Sequence, residues 1–182
     1  MTSYNPLDLE RRWIDIRKNI PHFGPPRIRD LSKLKYLVVH HTASHENTTP
    51  AELAREAFLK FKWDGISYHF LVYQNGDIYL ARNPVELGAC VELKNTPSLC
   101  VACVGNFSEQ TPSDAMIQTL ADFAAWALAC YQTIELVCRH SHFKVTECPG
   151  VNFPWQSLAS AIRERMRGVP RVFTIEGGEK QL

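Results

Sequence analysis

The run Tyr36-Leu37-Val38-Val39-His40-His41-Thr42 constrains the fold of this chain more than any other stretch. Successive side chains of a strand point to opposite faces. Three aliphatic residues in a row therefore leave neither face for water, and such a strand must be covered on both sides. The run Leu-Cys-Val-Ala-Cys-Val, ending at Val104, makes the same demand. A chain of 182 residues is long enough to bury two such strands in one core. The fold class that follows is α/β: a single domain with a central mixed β-sheet flanked by α-helices.

The remaining elements fall into place around these strands. Leu7, Leu9, Trp13, Ile14 and Ile16 suggest a helix near 7–18, with Trp13 packing on the domain's flank. Pro21, Pro25 and Pro26 then force an extended crossing. Thr49-Pro50-Ala51-Glu52 reads as a helix start with a capping box and Pro at its first position. That helix carries Leu53, Ala57, Phe58 and Phe61 on one stripe. Strands are expected over 67–73 and 78–82, joined at Gln74-Asn75-Gly76-Asp77 by a type I′ turn. Thr111-Pro112-Ser113-Asp114 opens the longest helix, with Met116, Leu120, Phe123, Ala124, Ala127 and Leu128 facing the sheet. A short strand over 134–138 and a helix over 154–167 follow. The division expected is a flanking segment over 1–34, the domain proper over 35–167, and a tail over 168–182 that frays.

Charge excludes some functions. Lys and Arg number 20 against 19 Asp and Glu, so no overall field draws in nucleic acid or an anionic membrane. No apolar run approaches the ~18 residues of a membrane span. The N-terminal stretch is charged and lacks the apolar centre of a secretory signal. The expected location is the cytoplasm, or the cell wall after release by lysis. Cys100 and Cys103 form a C-x-x-C pattern, but on a strand they face opposite ways, so both read as buried thiols. A bridge between Cys130 and Cys138 is not expected in an intracellular setting.

The chemistry is concentrated in Arg139 to Gly150, RHSHFKVTECPG. It offers His140, His142 and Cys148 in a segment without helical period, closed by Cys-Pro-Gly. Imidazole nitrogen and thiolate sulfur suit zinc, at ~2.0–2.1 Å and ~2.3 Å. One more nitrogen would give three protein ligands and an open position, the catalytic pattern. His40 and His41 both stand ready to supply it, and spacing alone does not choose between them.

Four pieces in order, Val38 to Ala43, Gly65 to Phe70, Val104 to Phe107, and His140 to Gly150, resemble the zinc-dependent N-acetylmuramoyl-L-alanine amidases of type 2. That family includes the peptidoglycan recognition proteins, and its fold is a mixed sheet flanked by helices. The resemblance implies a Zn2+ cofactor held by His40, His140 and Cys148, with His140 eight positions before the cysteine as in the family. It implies that Tyr68, beside the metal, polarises the amide carbonyl. Thr146 stands where some members have a catalytic lysine, and would act as a hydrogen-bond donor. His41, Arg82 and Asn95 are expected to contact substrate, in a groove rimmed by the 42–49 and 83–97 loops. Many relatives have histidine where Cys90 stands.

The implied reaction is hydrolysis of the amide between the lactyl group of N-acetylmuramic acid and L-alanine, in peptidoglycan or a soluble muropeptide, during lysis or wall recycling. A monomer is expected. Two other readings compete: a peptidoglycan-binding module that does not cut, and a cysteine hydrolase with Cys148 as nucleophile and His140 as base.

Overall fold

The two apolar runs become neighbouring strands at the middle of one sheet. In the computed structural model, which describes residues 6–177, β2 (Tyr36–His41) and β5 (Ser98–Cys103) pair in parallel from Tyr36–Ser98 to His41–Cys103. The other strands are β1 (Ile14–Asp15), β3 (Phe70–Val72), β4 (Ile78–Leu80), β6 (Leu136–Arg139) and β7 (Thr174–Ile175). Their spatial order is β1-β4-β3-β5-β2-β6-β7. Among the described strands only β3 and β4 pair antiparallel, so the sheet is mixed, as expected.

Two long helices cover one face. Leu37, Val39, Leu99, Val101 and Cys103 point into a core with α2 (Asp114–Cys130) and α3 (Trp155–Arg165). The side chains between them point the other way. There Leu71, Ala102 and Val104 meet Leu53 and Ala54 of α1 (Pro50–Phe61), and Val38, Cys100 and Cys138 lie under the loop carrying Cys90 and Val91. The start of α1 is the expected capping box, with Thr49 and Glu52 satisfying each other's backbone donors. The cap of α2 is Ser113, whose hydroxyl accepts from the Met116 backbone at 3.1 Å.

Three expectations require correction. The N-terminal helix is only a 3-10 turn, Pro6–Arg11, after which the chain extends into β1. Trp13 decides this: its ring packs 5.4 Å from Phe70 and 5.1 Å from Trp126, and that tertiary contact outweighs a weak helical period. The 74–77 turn is not type I′, because Asn75 keeps a negative φ and only Gly76 is positive, at 86°. The Gly76 N–H reaches Tyr73 O, which leaves a type I turn closed by a glycine bulge. The tail does not fray as far as it is described. β7 pairs with β6, and Phe173 and Ile175 are buried against the core. Residues 178–182 lie outside the described residues.

Candidate metal centre

β2 and β6 are adjacent and parallel, and their last paired residues are Val39 and Arg139. One step beyond that pair come His40 and His140. The sheet register thus delivers two imidazoles side by side at the C-terminal edge, where open α/β sheets bind ligands. Their ring centroids lie 4.6 Å apart. The third donor comes from the loop after β6. Cys148 is held there because its carbonyl accepts from Ser141 N at 3.2 Å and its Sγ accepts from His41 N at 3.4 Å. Gly150 anchors the loop's far end. Its φ is 114°, and a Cβ there would sit 2.3 Å from the Phe107 carbonyl carbon, so only glycine fits.

The donor atoms of His40, His140 and Cys148 all lie within 4.8 Å of one another. Cys148 Sγ is 3.7 Å from His40 Nδ1. A tetrahedral zinc with ordinary bond lengths would separate a sulfur and a nitrogen ligand by ~3.6 Å. The donor set therefore fits zinc in chemistry and in spacing. Burial, reinforced by His140 and His41, holds the His40 pKa well below the usual imidazole value. Burial also lowers that of His140, with Lys144 adding to the effect. Both shifts favour the neutral ring, the form that ligates. Burial pushes the Cys148 thiol up to about 12, against a smaller pull from the His41 N–H. A thiol this reluctant to ionise is a poor lone nucleophile.

A cleft of about 330 Å³ opens over the three donors. Tyr68, Thr146 and His41 line it. The Tyr68 ring lies 5.3 Å from that of His40. Burial first, then Cys148 and Glu56, raise its phenol pKa. Thr146 Oγ1 accepts from Cys148 N at 3.2 Å, and so helps to fix the loop that carries Cys148. His41 faces partly the other way, its Nδ1 accepting from Phe107 N at 3.1 Å.

Arg82 and Asn95 are not brought to the cleft. Arg82 is 4% exposed and its guanidinium is committed to Asp64, Ile66 O and Leu87 O. A buried arginine with such partners staples loops together. Asn95 Oδ1 accepts from Cys90 N and Val91 N, both at 2.9 Å, and shapes the loop before β5. His142 does not line the cleft; its Nδ1 lies 3.9 Å from Glu176.

Some lining residues had no sequence assignment to the site. Phe61 and Trp63 stack with centroids 4.5 Å apart, and Glu56 joins the lining; Cys90, on the 83–97 loop expected to rim the groove, lines it too. Phe61 was expected on the buried stripe of α1, yet it is 57% exposed. Its signal was position: an aromatic at the last turn, two residues before a second aromatic. The expectation of a free Cys100 thiol is overturned, since Cys100 is bonded to Cys90. Cys100 points to the cleft face, where the folded loop delivers Cys90; Cys103, on the opposite face, is free and buried.

A model of the family described as N-acetylmuramoyl-L-alanine amidase matches residues 30–151. The chain belongs to the N-acetylmuramoyl-L-alanine amidase family. It is 28% identical over 136 residues to peptidoglycan-recognition protein SC2 of Drosophila simulans, a match that covers 70% of this chain and 73% of the relative. It is 30% identical over 142 residues to an N-acetylmuramoyl-L-alanine amidase of Sus scrofa, covering 71% of this chain and 24% of the relative. The solved endolysin amidase LysCS from Clostridium intestinale superposes with a TM-score of 0.75 at 26% identity, over 88% of this chain and 98% of its own. The Ph2119 endolysin, from a bacteriophage of Thermus scotoductus, gives 0.73 at 29% identity, over 83% and 99%. The amidase-family fold is thus present almost whole.

Proposed function

We propose that this protein is a zinc-dependent amidase that hydrolyses the bond between the lactyl group of N-acetylmuramic acid and L-alanine, in peptidoglycan or soluble muropeptides. One observation carries the reading: His40, His140 and Cys148 place three donor atoms within 4.8 Å of one another beneath an open cleft. A structural zinc site is closed by a fourth side chain, whereas a catalytic one keeps a position free. Family membership and the likeness to endolysin amidases support the same reaction.

Zinc, when bound to these residues, supplies Lewis-acid chemistry that polarises a carbonyl and acidifies water. The protein's own groups do the rest. His40 and His140 offer lone pairs because burial keeps them neutral. Tyr68 keeps its proton at neutral pH, since its surroundings raise the phenol pKa. Its O–H donates to the amide oxygen as that atom gains charge. Thr146 holds the backbone of Cys148 in place. Phe61 and Trp63 give the cleft an apolar wall against which a sugar face or peptide stem can lie.

The test is incubation with a soluble N-acetylmuramyl peptide and mass analysis of the products. The reading expects a free peptide beginning with L-alanine and a muramic acid with a free lactyl carboxylate, with both absent after chelation and restored by zinc. Cleavage that survives chelation but stops on thiol alkylation would assign the chemistry to a Cys148–His140 hydrolase. Saturable binding without cleavage of any wall fragment would make this a recognition module, the reading favoured by relatives named as recognition proteins.

A further inference from the structure

His40 belongs to two groups of potential ligands, and the second includes the disulfide. Cys100 pairs with Val38 across β5 and β2, so it shares a face with His40 two residues further on. The loop shaped by Asn95 folds Cys90 onto the same spot. Ligand atoms of His40, Cys90 and Cys100 all lie within 4.8 Å of one another, and all three residues are buried. The triad leaves one polar atom unexplained. His40 Nδ1 faces Cys148, but His40 Nε2 is buried without a hydrogen-bond partner in a residue only 1% exposed. A buried nitrogen of this kind is costly unless something occupies its lone pair or takes its proton.

We propose that reduction of the Cys90–Cys100 bond creates a second soft-metal site, His40–Cys90–Cys100, which draws on the same imidazole as the first group. The bond accepts two electrons and two protons from a dithiol, which itself closes to a disulfide. An entering ion then displaces the thiol protons. Two thiolates and one imidazole select zinc, cadmium or copper(I) over harder ions. This inference goes beyond the amidase reading and does not depend on it.

The experiment uses the full chain carrying Cys148→Ser, so that the triad's own thiolate is gone, with cobalt(II) as the probe. Thiolate ligation appears as a charge-transfer absorption. After reduction with a phosphine, which is consumed to its oxide, the variant is expected to bind one equivalent of cobalt with that band. The oxidised variant should lack it, and adding Cys90→Ala should abolish it. No band in the reduced variant, or a band that survives Cys90→Ala, would overturn the proposal. Should Cys148→Ser fail to fold, the wild-type chain serves: the band per chain should gain intensity on reduction by about one further thiolate or more, and an unchanged band sinks the idea. Failure of the amidase reading would show separately, as absence of zinc-dependent cleavage by the oxidised wild type.

Discussion

His140 stands opposite His40 because β6 and β2 are parallel and in register, and the two rings lie 4.6 Å apart at a tilt of 50°. The sheet therefore sets how far apart β2 and β6 carry the two imidazoles, His140 being the first residue of the 3-10 turn (His140–His142) that follows β6. Cys148 lies on the loop beyond, which is tied to β2 and to Phe107.

Tyr68→Phe removes the phenolic donor and leaves the ring. Loss of one well-placed oxyanion donor costs about 10²–10³ in kcat. The expected result is a kcat reduced by about that factor on a muropeptide, with zinc content unchanged. An unaltered kcat would remove Tyr68 from the chemistry.

Gly150→Ala places a Cβ against the Phe107 backbone at a φ of 114°. Backbone strain of this kind costs about 1–3 kcal/mol before any clash is counted. Denaturant unfolding should show a destabilisation of at least that size, together with weaker zinc binding. A stable variant with full zinc affinity would mean that the 147–150 loop is not held as described.

Glu176 gives a dependence on pH. Burial pushes its carboxyl pKa up, but hydrogen bonds from Arg139 N at 2.8 Å and Nη2 at 2.9 Å, with the arginine's charge, more than offset this and leave it lowered. A carboxylate whose folded pKa is depressed stabilises the fold above its unfolded value, near ~4.3, and loses that contribution as pH falls through the folded value. Wild type should therefore be more stable than Glu176→Gln at pH 7, and the gap should shrink between about pH 5 and pH 3. Urea unfolding at both ends of that range checks it; a constant gap would contradict the assignment.

Local chemistry was legible in the sequence, and long-range contact was not. The Thr49 capping box and the apolar runs of β2 and β5 signal themselves within a few residues, and they fold as read. Among the candidate ligands, His140 and Cys148 stood out by residue type, whereas the choice of His40 over His41 came only from the family resemblance, because strand parity alone left the two equal. Arg82 was misread because its partners, Asp64 and the carbonyls of Ile66 and Leu87, meet it only in three dimensions. The tail was misread for the same reason: a two-residue strand has no pattern of its own, and β6 supplies its pairing. The Cys90–Cys100 bond depends on how an irregular loop folds over β5, which no periodicity encodes.

The most direct test is the zinc content of the oxidised wild-type chain beside that of Cys148→Ser, each equilibrated with excess zinc and freed of unbound metal. Three donors converging on one ion predict one zinc per chain in the wild type and a large loss in the variant. Equal zinc in both, or none in a folded wild type, would contradict a shared ion at His40, His140 and Cys148.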